Sequence, residues 1–137
     1  MKEKYIFILI MLIVGIPAFI LGPMLWSPTQ EVQPTSGQLP FLIFLSAIEA
    51  LTFGAGIAIL VLGTKRVKKY NQSNKGTIPA YIALLWLLLS WWPHDNIHIH
   101  NGMNLQGLIY IDYGFHLTLI IASFILTSWF FRTIKTK

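Results

Sequence analysis

Four long apolar segments constrain the fold of this 137-residue chain more than any other feature of its sequence. A helix that crosses the hydrocarbon core of a bilayer needs roughly 20 consecutive, mostly apolar residues. Only 11% of the residues are charged, against about 25% in a typical soluble domain. We therefore predict an all-α protein, an integral membrane four-helix bundle with both termini cytoplasmic and a single transmembrane domain over residues 1–137. The predicted spans are residues 5–22, 39–63, 78–98 and 105–131.

The first apolar segment follows a basic start and has some features of a signal peptide. It is longer than a typical signal-peptide core, and no small-x-small cleavage site follows Leu21. We therefore expect it to be retained as a membrane helix.

The distribution of positive charge predicts the orientation of the chain. The connections 22–38 and 93–104 contain no Lys or Arg, and basic residues mark the cytoplasmic side of membrane proteins. This places both termini and the connection between spans two and three in the cytoplasm. The histidine-rich stretch 94–100 is then extracytoplasmic, and we expect a prokaryotic cell membrane. The ten basic residues are Lys2, Lys4, Lys65, Arg66, Lys68, Lys69, Lys75, Arg132, Lys135 and Lys137.

Charge and cysteine content limit the classes of function. The net charge of +5 follows from the topology and favours contact with anionic lipid. No nucleic-acid-binding motif accompanies it, so the expected partners are membrane lipids, with a second copy or another membrane protein left open. The absence of cysteine excludes disulfides, thiolate metal sites and cysteine nucleophiles.

The third span poses a structural question at Pro93. Residues 78–92 are too few to cross a bilayer, and the residue before a proline often ends a helix. Alternatively, the helix continues past Pro93 with a kink to about His98. We favour this second interpretation, in which His94 and His98 lie one turn apart on the same face.

Two other predicted spans also carry polar groups at depth. Glu49 lies about ten residues into span two, and an ionisable group at such depth indicates a functional site. Asp112 and His116 are spaced i, i+4 on span four, with Ser123 extending the same polar stripe. We expect Glu49, Asp112 and His116 to converge beneath a lid formed by residues 94–100.

Imidazole and carboxylate groups in this number predict a transition-metal site. Such ligands suit zinc, iron or copper, and the thioethers of Met24 and Met103 on the outer side would favour copper(I). Glu49 and Asp112 are also candidates for a general base or for carboxylates that orient the imidazoles. The predicted metal ligands are His94, His98, His116 and Glu49, with His100, Asp112 and Asp95 as further possibilities.

The leading functional hypothesis is a metal-binding membrane protein that handles metal or performs metal-dependent chemistry on a lipid-soluble substrate; whether it is an enzyme stays open. One alternative is a non-catalytic accessory protein with a structural polar cluster, in which Asp95 caps a helix after Pro93 and Glu49 hydrogen-bonds His116 or Ser46. Two further alternatives are a b-type haem held by His116 with His94 or His98, and a transporter with a proton relay through Glu49, Asp112 and His116.

Overall fold

The protein is all-α, as predicted. A computed structural model describes residues 2–25, 35–101 and 105–135, and the side chains of 2–22, 35–98 and 109–134. The helices are α1 (Glu3–Leu25), α2 (Leu39–Asn71), α3 (Thr77–Leu89), α4 (Trp91–Asn101) and α5 (Leu105–Lys135).

Helix α2 extends well beyond the predicted end of the second span at residue 63. The additional two turns contain Lys65, Arg66, Lys68 and Lys69, which are good helix formers. Lys68 and Lys69 lie in the last turn, where positive charge complements the helix dipole. The hydrophobic pattern marks the end of the apolar segment, whereas the helix itself continues into its basic extension.

Helices α3 and α4 form one kinked helical run, separated by Ser90 alone. The Ser90 N–H donates to the Trp86 carbonyl at 3.1 Å, and the His94 N–H donates to the Ser90 carbonyl at 3.1 Å. Pro93 has no N–H to donate one turn back, to Leu89, so the break falls where the proline removes a backbone hydrogen bond. The backbone therefore continues through Pro93 with a kink, in agreement with the second interpretation of the sequence.

Small residues bring α1 and α2 into close contact. A Cβ atom built on Gly54 would collide with the backbone carbonyl of Met11, and one on Gly15 would lie 3.0 Å from the Ala50 carbonyl. Ala50 and Ala58 are completely buried. Packing through small residues is typical of membrane helices, whose backbones then approach closely.

Among the described residues, three helical segments are long and apolar enough to cross a membrane: Glu3–Gly22, Leu39–Asn71 and Ile109–Ile134. Their outward faces carry large apolar side chains, with Ile13 62%, Phe41 63% and Phe124 74% exposed. Surface of this kind is stable when lipid tails cover it. The third predicted span, 78–98, corresponds to the kinked pair α3–α4, in which neither helix alone has the length to cross.

The start of α1, the α2–α3 connection and the end of α5 lie at the same end of the molecule. Arg66 pairs with Glu3 at 2.5 Å, and Asn74 Nδ2 donates to Thr133 Oγ1 at 3.5 Å. His94 follows Thr77 along the α3–α4 run, which at ~1.5 Å per residue puts it about 26 Å away. The histidines therefore lie at the end opposite this basic end, close to one hydrocarbon thickness away.

Candidate metal centre

Three donor atoms from α4 and α5 meet in a nearly equilateral triangle. His94 Nε2 and His98 Nε2 lie 3.2 and 3.1 Å from Asp112 Oδ1, and the two nitrogens lie 3.2 Å from each other. His94 and His98 share a face because they are one turn apart on α4. Asp112 reaches them from α5, so the triangle also joins the two helices.

The size of this triangle matches one face of a metal coordination shell. Bonds of about 2.0–2.1 Å to nitrogen and oxygen separate neighbouring ligands by about 3.3–3.4 Å in a tetrahedron and about 3.0 Å in an octahedron. The observed edges of 3.1–3.2 Å lie between these two values. His94, His98 and Asp112 can therefore hold a first-row transition metal ion without rearrangement of the backbone.

The hydrogen bond of His94 to Asp95 decides which nitrogen of His94 is free to bind a metal. Asp95 Oδ1 lies 3.0 Å from His94 Nδ1, and an ionised carboxylate can only accept, so Nδ1 carries the proton. In neutral His94 the Nε2 lone pair then faces Asp112 Oδ1, a second acceptor. Two acceptors 3.2 Å apart repel unless a cation lies between them. The cation is a metal ion or a proton, and the proton lies either on His94 Nε2 or on His98 Nε2, which is 3.2 Å from His94 Nε2 and 3.1 Å from Asp112 Oδ1 and can donate toward both.

A carboxylate behind a metal-binding imidazole is a common feature of metal sites. The acid fixes the tautomer, orients the ring and raises its basicity. Asp95 stands in this relation to His94. It lies within the first two turns of α4, which begins before Pro93, so the interpretation of Asp95 as a helix cap after Pro93 is wrong.

Aromatic rings fix the orientation of His94. Its ring stacks on Phe115 with centroids 3.7 Å apart and planes inclined by 12°, and Trp91 makes an edge contact at 6.4 Å. His94 is only 8% exposed. An apolar surround of this kind excludes water from the buried side of a metal site. Phe115 was not predicted to belong to the site, although its i+3 spacing from Asp112 places both on neighbouring parts of α5.

His116, predicted as a ligand, lies beside the triangle rather than in it. Its Nδ1–H donates to the backbone carbonyl of Asp112 at 2.7 Å, and the same nitrogen lies 3.4 Å from Asp112 Oδ1. His116 therefore supports Asp112 through an i, i+4 contact. Asp112, which the sequence offered as a possible ligand or general base, takes the third corner.

Glu49, also predicted as a ligand, lies on the other side of α4. It lines a cavity of about 260 Å³ together with Ser46, Asp95 and His98, and its carboxyl group lies close enough to that of Asp95 for the two to interact electrostatically. The expected convergence of Glu49 with Asp112 and His116 is corrected accordingly, because α4 carries the histidines between α2 and α5. The side chains of His100, Met24 and Met103, and with them the predicted copper(I) ligands, lie outside the described residues.

The geometry favours a single ion over haem. A macrocycle must fit between two axial imidazoles. The Nε2 atoms of His94 and His98 are only 3.2 Å apart. The Asp112 carboxylate lies between His94 and His116, within 3.4 Å of a nitrogen of each.

Comparison of the chain with models of protein families, with curated proteins and with solved structures finds no match. The site therefore has to be interpreted from its own chemistry. His98 and Asp112 are about one-third exposed, so the triangle is buried at His94 and accessible at its other two corners. Three protein ligands with an accessible side are the arrangement in which a catalytic metal keeps a position for water or substrate.

Proposed function

We propose that this protein is an integral membrane metalloprotein with four spans, the third formed by the kinked α3–α4 pair. Both termini and the α2–α3 connection lie in the cytoplasm, and the metal centre lies in the outer half of a prokaryotic cell membrane. This orientation is supported by the clustering of the described Lys and Arg side chains at the end of the molecule opposite the centre.

The proposed ligands are His94, His98 and Asp112, with a divalent first-row ion, zinc being the first to test. One observation carries the proposal: His94 Nε2 lies 3.2 Å from both Asp112 Oδ1 and His98 Nε2, while Asp95 engages the other ring nitrogen of His94. A metal ion satisfies all three donors at once. His116 and Asp95 hold Asp112 and His94 in position.

The same centre supports metal-dependent chemistry on a lipid-soluble substrate. The accessible side of the triangle leaves room for a substrate oxygen, which a divalent ion would polarise as a Lewis acid. A substrate within the bilayer would reach the centre laterally, between helices.

The alternative of a structural polar cluster is favoured by the same contacts if His94 is an imidazolium. It would then donate to Asp95 from Nδ1 and to Asp112 from Nε2, and no metal would be needed. In this case the cluster locks α4 to α5, and the protein acts as a non-catalytic membrane accessory.

Metal analysis of tag-free protein purified in detergent distinguishes these proposals. We expect one zinc per chain, and a cobalt(II)-substituted form with ligand-field absorption from nitrogen and oxygen ligands. His98→Ala should lose the metal. His116→Ala is the matched control, because it removes an imidazole that lies one turn from Asp112 but outside the triangle, and it should retain the metal. Folded protein that takes up no zinc, cobalt or iron would refute the metal centre in favour of the structural cluster.

A further inference from the structure

An apolar groove adjoins the metal centre between the α3–α4 pair and α5. It has a volume of about 470 Å³ and is lined by side chains that include Trp86, Pro93, Ile97 and Ile111, with Gly114 on the α5 side. Sites for small molecules commonly measure about 300–1,000 Å³. The groove is therefore large enough for a ligand, and its lining decides which kind.

The polar side chains along the groove have already used their hydrogen-bond donors. Ser90 Oγ donates to the Trp86 carbonyl at 2.6 Å, and Thr118 Oγ1 donates to the Phe115 carbonyl at 2.8 Å. The Trp86 indole N–H donates to Thr118 Oγ1 at 3.1 Å. A polar ligand would find no donor among these lining groups and would lose its own hydration. The groove is suited to a hydrocarbon.

His94 belongs to the groove and to the metal triangle at once. Its ring forms part of the groove wall, while Nε2 faces Asp112 and His98. A molecule lying in the groove therefore ends next to the ligands. Of the lining residues, Ile111 is 50% exposed and Trp86 43% exposed, so the groove opens through apolar surface of the kind that lipid tails cover.

We propose that this groove binds one hydrocarbon chain of a membrane lipid whose headgroup presents an anionic oxygen to the metal. This inference rests on the proposed metal centre and names its substrate class: a single-chain or diacyl lipid with a carboxylate or phosphate oxygen near the top of the chain. The donor-free groove selects the chain, and the divalent ion at its end selects the oxygen.

Gly114 provides a direct test because it faces empty space. A Cβ built at this position meets no heavy atom within 4 Å, so a larger side chain can enter the groove without displacing protein. Gly114→Phe should fill it, and Gly114→Leu provides a smaller filler in case Phe impairs folding. Gly114→Ala is the matched control, since a methyl group leaves most of the volume free.

The probe is a long-chain fatty acid with a photoactivatable diazirine in its tail, added to zinc-loaded protein in detergent. We expect cross-links on the groove residues of α3, α4 and α5. They should be competed by oleate but not by acetate, and competed more weakly by a long-chain alkane that lacks the headgroup. Gly114→Phe and Gly114→Leu should reduce groove labelling at least tenfold while zinc content stays at the wild-type value, and Gly114→Ala should label like the wild type.

Two results would overturn the inference, and they differ from failure of the metal centre. Groove labelling that persists in Gly114→Phe, or labelling spread equally over all outward helix faces, would refute the chain site while leaving zinc binding intact. Wild-type protein without zinc would refute the metal centre, and with it the role of the headgroup, whatever the labelling pattern.

Discussion

Replacement of Asp95 by asparagine tests the reasoning about the metal centre most directly. The amide side chain has nearly the size of the carboxylate and retains an oxygen that can accept from His94 Nδ1, which lies 3.0 Å from Asp95 Oδ1. The change removes the negative charge behind the imidazole and leaves the three proposed ligands in place. An effect on metal binding therefore acts through His94 or through Glu49, the other neighbour of Asp95.

The expected magnitude follows from the role of such a carboxylate. Hydrogen bonds to an ionised group are roughly twice as strong as those between neutral groups, and loss of an outer carboxylate typically weakens metal affinity about 10–100-fold. This corresponds to about 1.4–2.8 kcal/mol. Because His94 is 8% exposed, little water is available to replace the lost charge. We therefore expect an effect in the upper half of this range.

The assay is competition for zinc between the detergent-solubilised protein and a chromophoric chelator, with Glu49→Gln as the matched control. Glu49 also interacts with Asp95 but lies outside the triangle, so its amide variant should change zinc affinity less than threefold. Equal zinc affinity in wild type and Asp95→Asn would refute the reasoning. A variant that loses thermal stability, when neither it nor the wild type binds metal, would support the structural lock instead of the metal centre.

Four further predictions concern the fold, the topology and pH. Gly54→Val should lower the free energy of unfolding in detergent by about 1–3 kcal/mol, because its side chain would collide with the Met11 carbonyl. Gly114 faces open space, so Gly114→Ala should raise the free energy of unfolding by up to about 1 kcal/mol through its higher helix propensity. The native chain has no cysteine, so Ser73→Cys and Gln38→Cys each provide a single labelling site. A membrane-impermeant maleimide should label Gln38→Cys in intact cells and Ser73→Cys only after lysis. The reverse pattern would show that the proposed topology is inverted. Zinc affinity should fall on acidification, since protons compete for the imidazole lone pairs; a pH-independent affinity would exclude histidine ligands.

Local sequence rules predicted the helices and two of the three residues of the triangle, His94 and His98. Apolar length predicted the helical segments, and Pro93 predicted the kink, because a missing backbone N–H has the same effect in any tertiary context. The i, i+4 spacing placed His94 and His98 on one face of α4 for a reason equally local, the pitch of the helix. The i, i+4 spacing of Ala50, Gly54 and Ala58 along α2 is a local feature of the same kind, and the structure buries all three residues, with Gly54 against α1.

The choice of the third ligand was decided by tertiary structure. Asp112 and His116 share a face of α5, and the sequence favoured His116 as the ligand over Asp112. The height at which α5 packs against α4 instead brings Asp112 to the two imidazoles. Glu49 lies at a suitable depth on α2, yet α4 carries His94 and His98 on the side facing α5 and turns Asp95 toward Glu49. Helical pitch fixes which residues share a face on one helix. The rotation and height of one helix against another depend on how side chains of all helices interdigitate, and no single segment contains that information.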